Sequence, residues 1–238
     1  MNIPKPLLLT VRHRVVSADL PDSLQRFREN EAYLLGSGGD SIRLDDFRFY
    51  IQNTALQLSD GTELQVADRL EVFSPTDGAL VIVDDVVRVD PTEFGILTLG
   101  GLLPTGTVTG VRFEVGLPES WGLVNPTEYP ADHPLRVGAN EITYDSLDGY
   151  SSLAAAYRIP PSAPDSTVVR FLGALPVTLP LIEPVTLRRG FDISIEVRLN
   201  YHQLFESIDI ASAIPSDLTG AIVDQLPNSF EIFSVSQE

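Results

Sequence analysis

Three histidines, His13, His133 and His202, carry most of the metal or acid–base chemistry open to this chain, because it contains no cysteine. Without thiols there are no disulfides, thiolate metal centres or cysteine nucleophiles. His13 lies in Val-Arg-His-Arg-Val. Strand alternation there places Val11, His13 and Val15 on one face and Arg12 and Arg14 on the other. A histidine among inward-facing apolar residues is either a hydrogen-bonded core histidine or a ligand for copper or zinc. His133, in Asp132-His133-Pro134, reads as a loop histidine whose ring is held by local hydrogen bonds, and it is the second candidate metal ligand. His202 follows Tyr201 and reads as solvent-facing.

Enzyme signatures fail in turn, so no catalytic residue is assigned. A nucleophile elbow needs Gly-x-Ser-x-Gly. Pro118-Glu119-Ser120-Trp121-Gly122 begins with proline, and Gly149-Tyr150-Ser151-Ser152-Leu153 ends in leucine. Residues 36–39 (GSGG) have no strand-to-helix context and read as a flexible loop, not a phosphate-binding turn. The pairs Asp45/Asp46 and Asp84/Asp85 are adjacent in sequence. Neighbours on a strand point to opposite faces, so neither pair forms a shared acid–base site, and both read as solvated or edge-protecting charge. The acidic residues 145–148 lack the spacing of a helix–loop–helix calcium site.

The elements that must position these side chains are strands. Residues 7–16, 42–58, 63–73, 79–89, 94–99, 107–115, 141–144, 153–159, 167–172, 185–188, 192–200 and 231–235 read as strands, separated by Gly, Pro and Asp turns. Residues 192–200 are the clearest, with Ile193, Ile195, Val197 and Leu199 on one face. Residues 110–135, GVRFEVGLPESWGLVNPTEYPADHPL, start as a strand, stop at Gly116 and Pro118, and continue as about twenty residues of loop. Helical periodicity is confined to one turn after Asn200 and to residues 216–226, with Ser216 as the expected N-cap. Many short strands without a strand–helix–strand rhythm predict an all-β fold: an antiparallel, immunoglobulin-like β-sandwich with one or two short helices near the C-terminus. The Pro-rich residues 160–164 read as a loop, so residues 1–238 are expected to form a single domain.

Composition narrows the partners. A hydrophobic share of 43% supports a proper core. The net charge of −17 argues against nucleic acid and anionic membranes as partners, since both need a basic face. Lys5 is the only lysine, and no apolar run reaches the roughly 20 residues of a membrane span. The first residues, MNIPKPLLLTVRH, lack the features of a signal peptide.

Several stretches, in order, resemble the copper-binding MbnP-like family, periplasmic or lipoprotein β-sandwiches usually paired with a di-haem peroxidase of the MauG type. VRHRVVSADL is similar to the family's opening strand with its histidine. FRFYIQNTALQLSDGTEL, residues 47–64, is similar to its R-x-Y-x-S-N hairpin. Residues 109–135 are similar to its segment ending D-H-P-L, Asp148-Gly149-Tyr150 to its x-G-Y, and EVRLNYHQLF to a late strand. Two family features are missing. Where members carry a Met-x-Trp-x-Trp run, this chain has Ile142-Thr143-Tyr144-Asp145-Ser146, and the second family histidine is replaced in Phe171-Leu172-Gly173. The resemblance implies export to the periplasm or outside the cell with a leader removed, a di-haem peroxidase as partner, and copper as the cofactor class, with His13 as the surviving ligand. With those departures, the expected function is a non-enzymatic binding or interaction protein whose copper site is weakened or lost. Two alternatives are a functional copper protein using His13 with His133 or with a tyrosine such as Tyr144 or Tyr150, and a structural or adhesive domain. The last would present a patch around Trp121, Tyr129 and Leu135.

Overall fold

Alternating apolar residues on long strands leave two faces that must be covered, and the chain covers them with two sheets. A computed structural model describes residues 3–16, 24–35, 41–75, 77–92, 95–122, 124–138, 141–159, 166–209 and 214–238. The expected loops at 36–39 and 160–164, and Phe94, lie outside the described residues.

In the first, five-stranded sheet, the order is Phe230–Gln237, Ile193–Asn200, Lys5–Val16 and Leu24–Arg26, with Leu97–Leu102 also beside Lys5–Val16. Lys5–Val16 and Ile193–Asn200 run parallel, whereas the other strand pairs among the described residues are antiparallel. A parallel pair needs a long crossover, and here nearly the whole chain lies between the two strands. The second sheet has eight strands, in the order Thr167–Phe171, Leu153–Arg158, Ser41–Leu58, Thr107–Leu117 and Gly173–Thr186. The short strands Ala32–Leu34, Glu63–Gln65 and Val87–Val89 add to Ser41–Leu58.

The main core fills the space between the sheets. Leu7, Leu9, Ile193, Ile195, Val197 and Leu199 enter from one sheet; Phe47, Phe49, Ile51, Val111, Phe113 and Val115 enter from the other. Phe230 meets Phe113 edge to face at 5.3 Å, a geometry that adds to the stabilisation from area burial. A second core lies on the opposite face of the eight-stranded sheet. Along Ser41–Leu58, Phe49 and Ile51 point into the main core, whereas Tyr50 points into this second cluster with Val72, Ile82, Leu117, Trp121, Tyr129, Leu135 and Tyr150. The hairpin of Arg69–Ser74 and Gly78–Val83 and the long loop after Leu117 roof it.

Several element boundaries differ from the sequence reading. Residues 63–73 divide because Ala67 donates its backbone N–H to Gly101, leaving the eight-stranded sheet. Residues 79–89 divide into Gly78–Val83 and Val87–Val89, and of residues 141–144 only Tyr144 is in a strand, Tyr144–Asp145. The strand expected at 185–188 is instead Gly173–Thr186, which includes Pro176, Pro180 and Pro184. Proline cannot donate to a ladder, and this strand tolerates it because it lies at the sheet edge. The later helix is Pro215–Gln225, preceded by Ile214 rather than capped by Ser216. Proline is suited to the first helical turn, where its missing N–H costs nothing. No helix among the described residues is long and apolar enough to cross a membrane.

Candidate functional site

His13 enters the main core from Lys5–Val16 with 3% of its surface exposed. Its parallel partner is Leu199. One residue further on, the Asn200 side chain accepts the His202 backbone N–H at 3.0 Å and turns the chain into the short helix Tyr201–Phe205. The register therefore delivers the Tyr201 hydroxyl to 2.9 Å from His13 Nδ1. Tyr201 is itself fixed by stacking on Phe27 at 4.2 Å and by an edge contact with Phe47 at 5.3 Å. Burial pushes the His13 imidazole down to about 3, against the attraction of Asp90. Burial also raises the Tyr201 phenol well above its ordinary value. At neutral pH the pair is a neutral imidazole and a protonated phenol.

Carboxylates gather nearby, but arginines hold them. Arg48 Nε lies 3.0 Å from Asp46 and 3.1 Å from Asp90, its other end contacts Glu141, and Arg88 meets Glu141 at 2.7 Å. Burial, together with Asp46 and Asp90, pushes Glu29 up to about 7. Among the described residues no three His, Asp or Glu side chains come together in a way that could hold a metal ion.

His133 sits under the long loop. Two 3-10 turns, Glu119–Trp121 and Pro126–Glu128, shape that loop, and the Asn125 side chain caps the second by accepting the Thr127 N–H at 2.9 Å. Just before the loop, Gly116 has a φ of +109°, which turns Leu117 from the main core to the second one. A side chain at Gly116 would run into the Gly173 carbonyl and the Ser152 side chain. The His133 ring stacks on Tyr129 at 4.8 Å with an 11° tilt. Its Nδ1 accepts the Leu135 N–H at 3.1 Å, which leaves the proton on Nε2, 3.2 Å from Asp84. Burial lowers its pKa while Asp84 pulls the other way. Both nitrogens are engaged, one by a local bond from Leu135 and the other by Asp84, distant in sequence. Nearby, Tyr150 donates to the Leu135 carbonyl and Tyr50 lies 3.0 Å from the Thr143 hydroxyl. The Tyr129 hydroxyl is buried and has no hydrogen-bond partner among the described residues.

Three expectations change. Asp84 and Asp85 point to different surroundings, but neither is merely solvated. Asp84 holds His133, and the nearly inaccessible Asp85 accepts the backbone N–H groups of Asn53 and Thr54 at 3.0 and 2.5 Å. Those two bonds support Asn53 at a φ of +53°, where the strand bulges; even so, burial lifts Asp85 to about 6. Asp45 and Asp46 are likewise ion-paired, Asp45 with Arg43 and Arg158. His202 is half-buried rather than solvent-facing. Trp121, Tyr129 and Leu135 are core residues, not an exposed patch.

The positions matching the absent family residues fall elsewhere. Phe171 ends its strand opposite Leu153 and packs on the main core. Tyr144 lies opposite Tyr150 with ring centroids 5.0 Å apart, and Ser146 is exposed in the adjoining turn. Among the described residues, the side chain hydrogen-bonded to His13 is one phenol that keeps its proton.

Fold and site together define a two-sheet β-sandwich with a roofed aromatic second core and two buried, neutral histidines. The chain belongs to the MbnP family, whose model matches residues 5–220. Among solved structures it is similar to MbnP from Methylosinus trichosporium, at 16% identity and a TM-score of 0.52, covering 99% of each chain. At that identity the likeness speaks for the fold. No curated protein matches the sequence.

Proposed function

We propose that this protein is a non-enzymatic, exported binding or interaction module that works without a copper ion at His13. The observation carrying the reading is the buried His13–Tyr201 pair, in which a histidine at the family's ligand position serves as a hydrogen-bonded core residue. One neutral imidazole beside a protonated phenol is a single good donor, and tight copper binding needs more. Phe171, Tyr144 and Ser146 at the other family positions support the same reading. A di-haem peroxidase is the partner class that the family suggests. It would meet this protein by surface contact, because neither Tyr144 nor Ser146 offers an indole to oxidise. The burial of Trp121 and Tyr129 removes the patch that motivated an adhesive role.

Competition titrations with Cu(I) and Cu(II) test the reading. The expected result is no stoichiometric binding tighter than micromolar. Binding at that level, lost in His13→Ala, would overturn it. Recovery of the native protein in the cytoplasmic fraction would refute export.

A further inference from the structure

The outer face of the five-stranded sheet carries arginines in an arrangement that folding alone disfavours. Arg14 is directly opposite Arg26 on the antiparallel neighbour, and Arg12 is directly opposite Arg198 on the parallel one. Like charges placed opposite one another across strands are destabilising. With 33 acidic residues and only 16 basic ones in the chain, gathering four cations on one face is not what a merely solvated surface would do.

The two pairs are handled differently. Arg12 contacts Glu196 at 2.5 Å; Arg198 lies 3.3 Å from Glu231, with its guanidinium 3.8 Å above the Phe233 ring. Arg14 makes no hydrogen bond or ion pair among the described residues, and its other cross-strand neighbour is the neutral Asn200. Burial and the neighbouring Arg12, Arg198 and Arg26 press its pKa below the ordinary arginine value, against the attraction of Glu196.

The same place is concave. Leu97–Leu102 pairs with residues 5–9 of the first strand, Leu24–Arg26 pairs with residues 14–16, and the Phe27 N–H reaches the His13 carbonyl, so among the described residues no strand pairs with residues 10–12 on that edge. A cavity of about 500 Å³ lies there, lined by Thr10, Arg12, Arg14, Arg26, Gly95 and Glu196 among others. Of its three guanidinium groups, Arg12 is paired with the one lining carboxylate, Glu196, and Arg26 has an interaction of its own, so Arg14 is the one left to a ligand among the described lining residues. The net charge of −17 does not cancel the Arg14 charge, because charges farther than the Debye length of about 8 Å are largely screened at physiological salt.

We propose that this recess binds a small multivalent oxyanion, a phosphate- or carboxylate-bearing molecule, with Arg14 as its principal contact. Guanidinium forks match the paired oxygens of both groups. The bound anion adds to a counter-charge that Arg14 otherwise has only as the attraction of Glu196, which is itself in contact with Arg12.

Thermal unfolding with inorganic phosphate and with citrate, each compared with sodium chloride at equal ionic strength, tests the site. Phosphate, citrate or both should raise Tm by at least about 3 °C over chloride; phosphate alone points to a phosphoryl ligand and citrate alone to a polycarboxylate. Arg14→Met should raise the Tm measured in chloride, by relieving repulsion, and abolish the anion increment. Arg28→Met, remote in charge pairing, should keep the increment. Arg14→Lys, which retains charge without the fork, should weaken the increment, and it replaces Arg14→Met if that variant does not fold. No excess shift over chloride, or an increment that survives at Arg14, would overturn the proposal.

Discussion

His13 and His133 are both buried and both lowered in pKa, yet the molecule satisfies them in opposite ways. His13 hangs from a regular strand into the main core, and its partner Tyr201 is 188 positions away. His133 lies in an irregular loop, takes one bond from Leu135 two residues on, and reaches the Asp84 carboxylate with its other nitrogen. A strand fixes a side chain's direction but engages its own backbone in the ladder, so a core histidine must find a partner through tertiary register. A loop has free backbone N–H groups and can satisfy its histidine locally. The carboxylate is the second difference: His133 has a counter-charge in direct contact, whereas His13 has a phenol there and Asp90 only as a more distant attraction.

The largest effect should separate the cores that hold the two histidines. Phe113→Ala in the main core is expected to cost about 3–5 kcal/mol and to lower the single unfolding transition of the whole chain. Trp121→Ala in the roofed core should instead raise amide exchange mainly within residues 117–150, leaving residues 193–199 protected, because the loop can open without parting the sheets. Equal exchange in both regions would show that the second core is not a separate unit of stability.

Acid should break the comparison next. The folded pKa of His13, about 3, is below its ordinary value of 6.5, so the unfolded chain takes up the proton first. Its stabilisation is complete above pH 6.5 and is lost as pH falls towards 3, with a slope of up to about 1.4 kcal/mol per pH unit. Glu29 and Asp85, raised to about 7 and about 6, act with the opposite sign and gain stability over pH 7 to 4. Both carboxyls are common to wild type and variant, so the difference between wild type and His13→Gln isolates the histidine. Denaturant midpoints across pH 7 to 4 should converge for that pair. For His133→Gln the convergence should be smaller, because Asp84 supports the charged ring.

The smallest effect concerns the tyrosines around His133. Tyr150→Phe removes a bonded hydroxyl and should cost about 1 kcal/mol, whereas Tyr129→Phe removes an unpartnered one and should be neutral or slightly stabilising. Chemical denaturation of the two variants side by side would reverse that order if the roofed core is packed differently.

Much of the frame was legible in residue order. Alternation in Ile193–Asn200 and around His13 placed the right side chains inward, since a period of two needs no tertiary information. Gly173–Thr186 was missed because its prolines argue against a strand, and only its edge position permits them. Asp84 and Asp85 were read as surface charge because a carboxylate in sequence carries no sign of the backbone N–H groups that will meet it. The family's motif order was readable, and so were the substitutions at Tyr144 and Phe171.

By itself, then, the sequence determined the all-β class, the inward face of each clear strand, the family and the loss of two of its hallmark residue types, because these depend on residue type and local period. Tertiary structure alone decided that His13 meets Tyr201, that the long loop roofs a second core, and that Arg14 faces Arg26. Each of these depends on strand register and crossover between segments far apart in the chain, and register is fixed by burying one face of each sheet, which happens only in the tertiary fold.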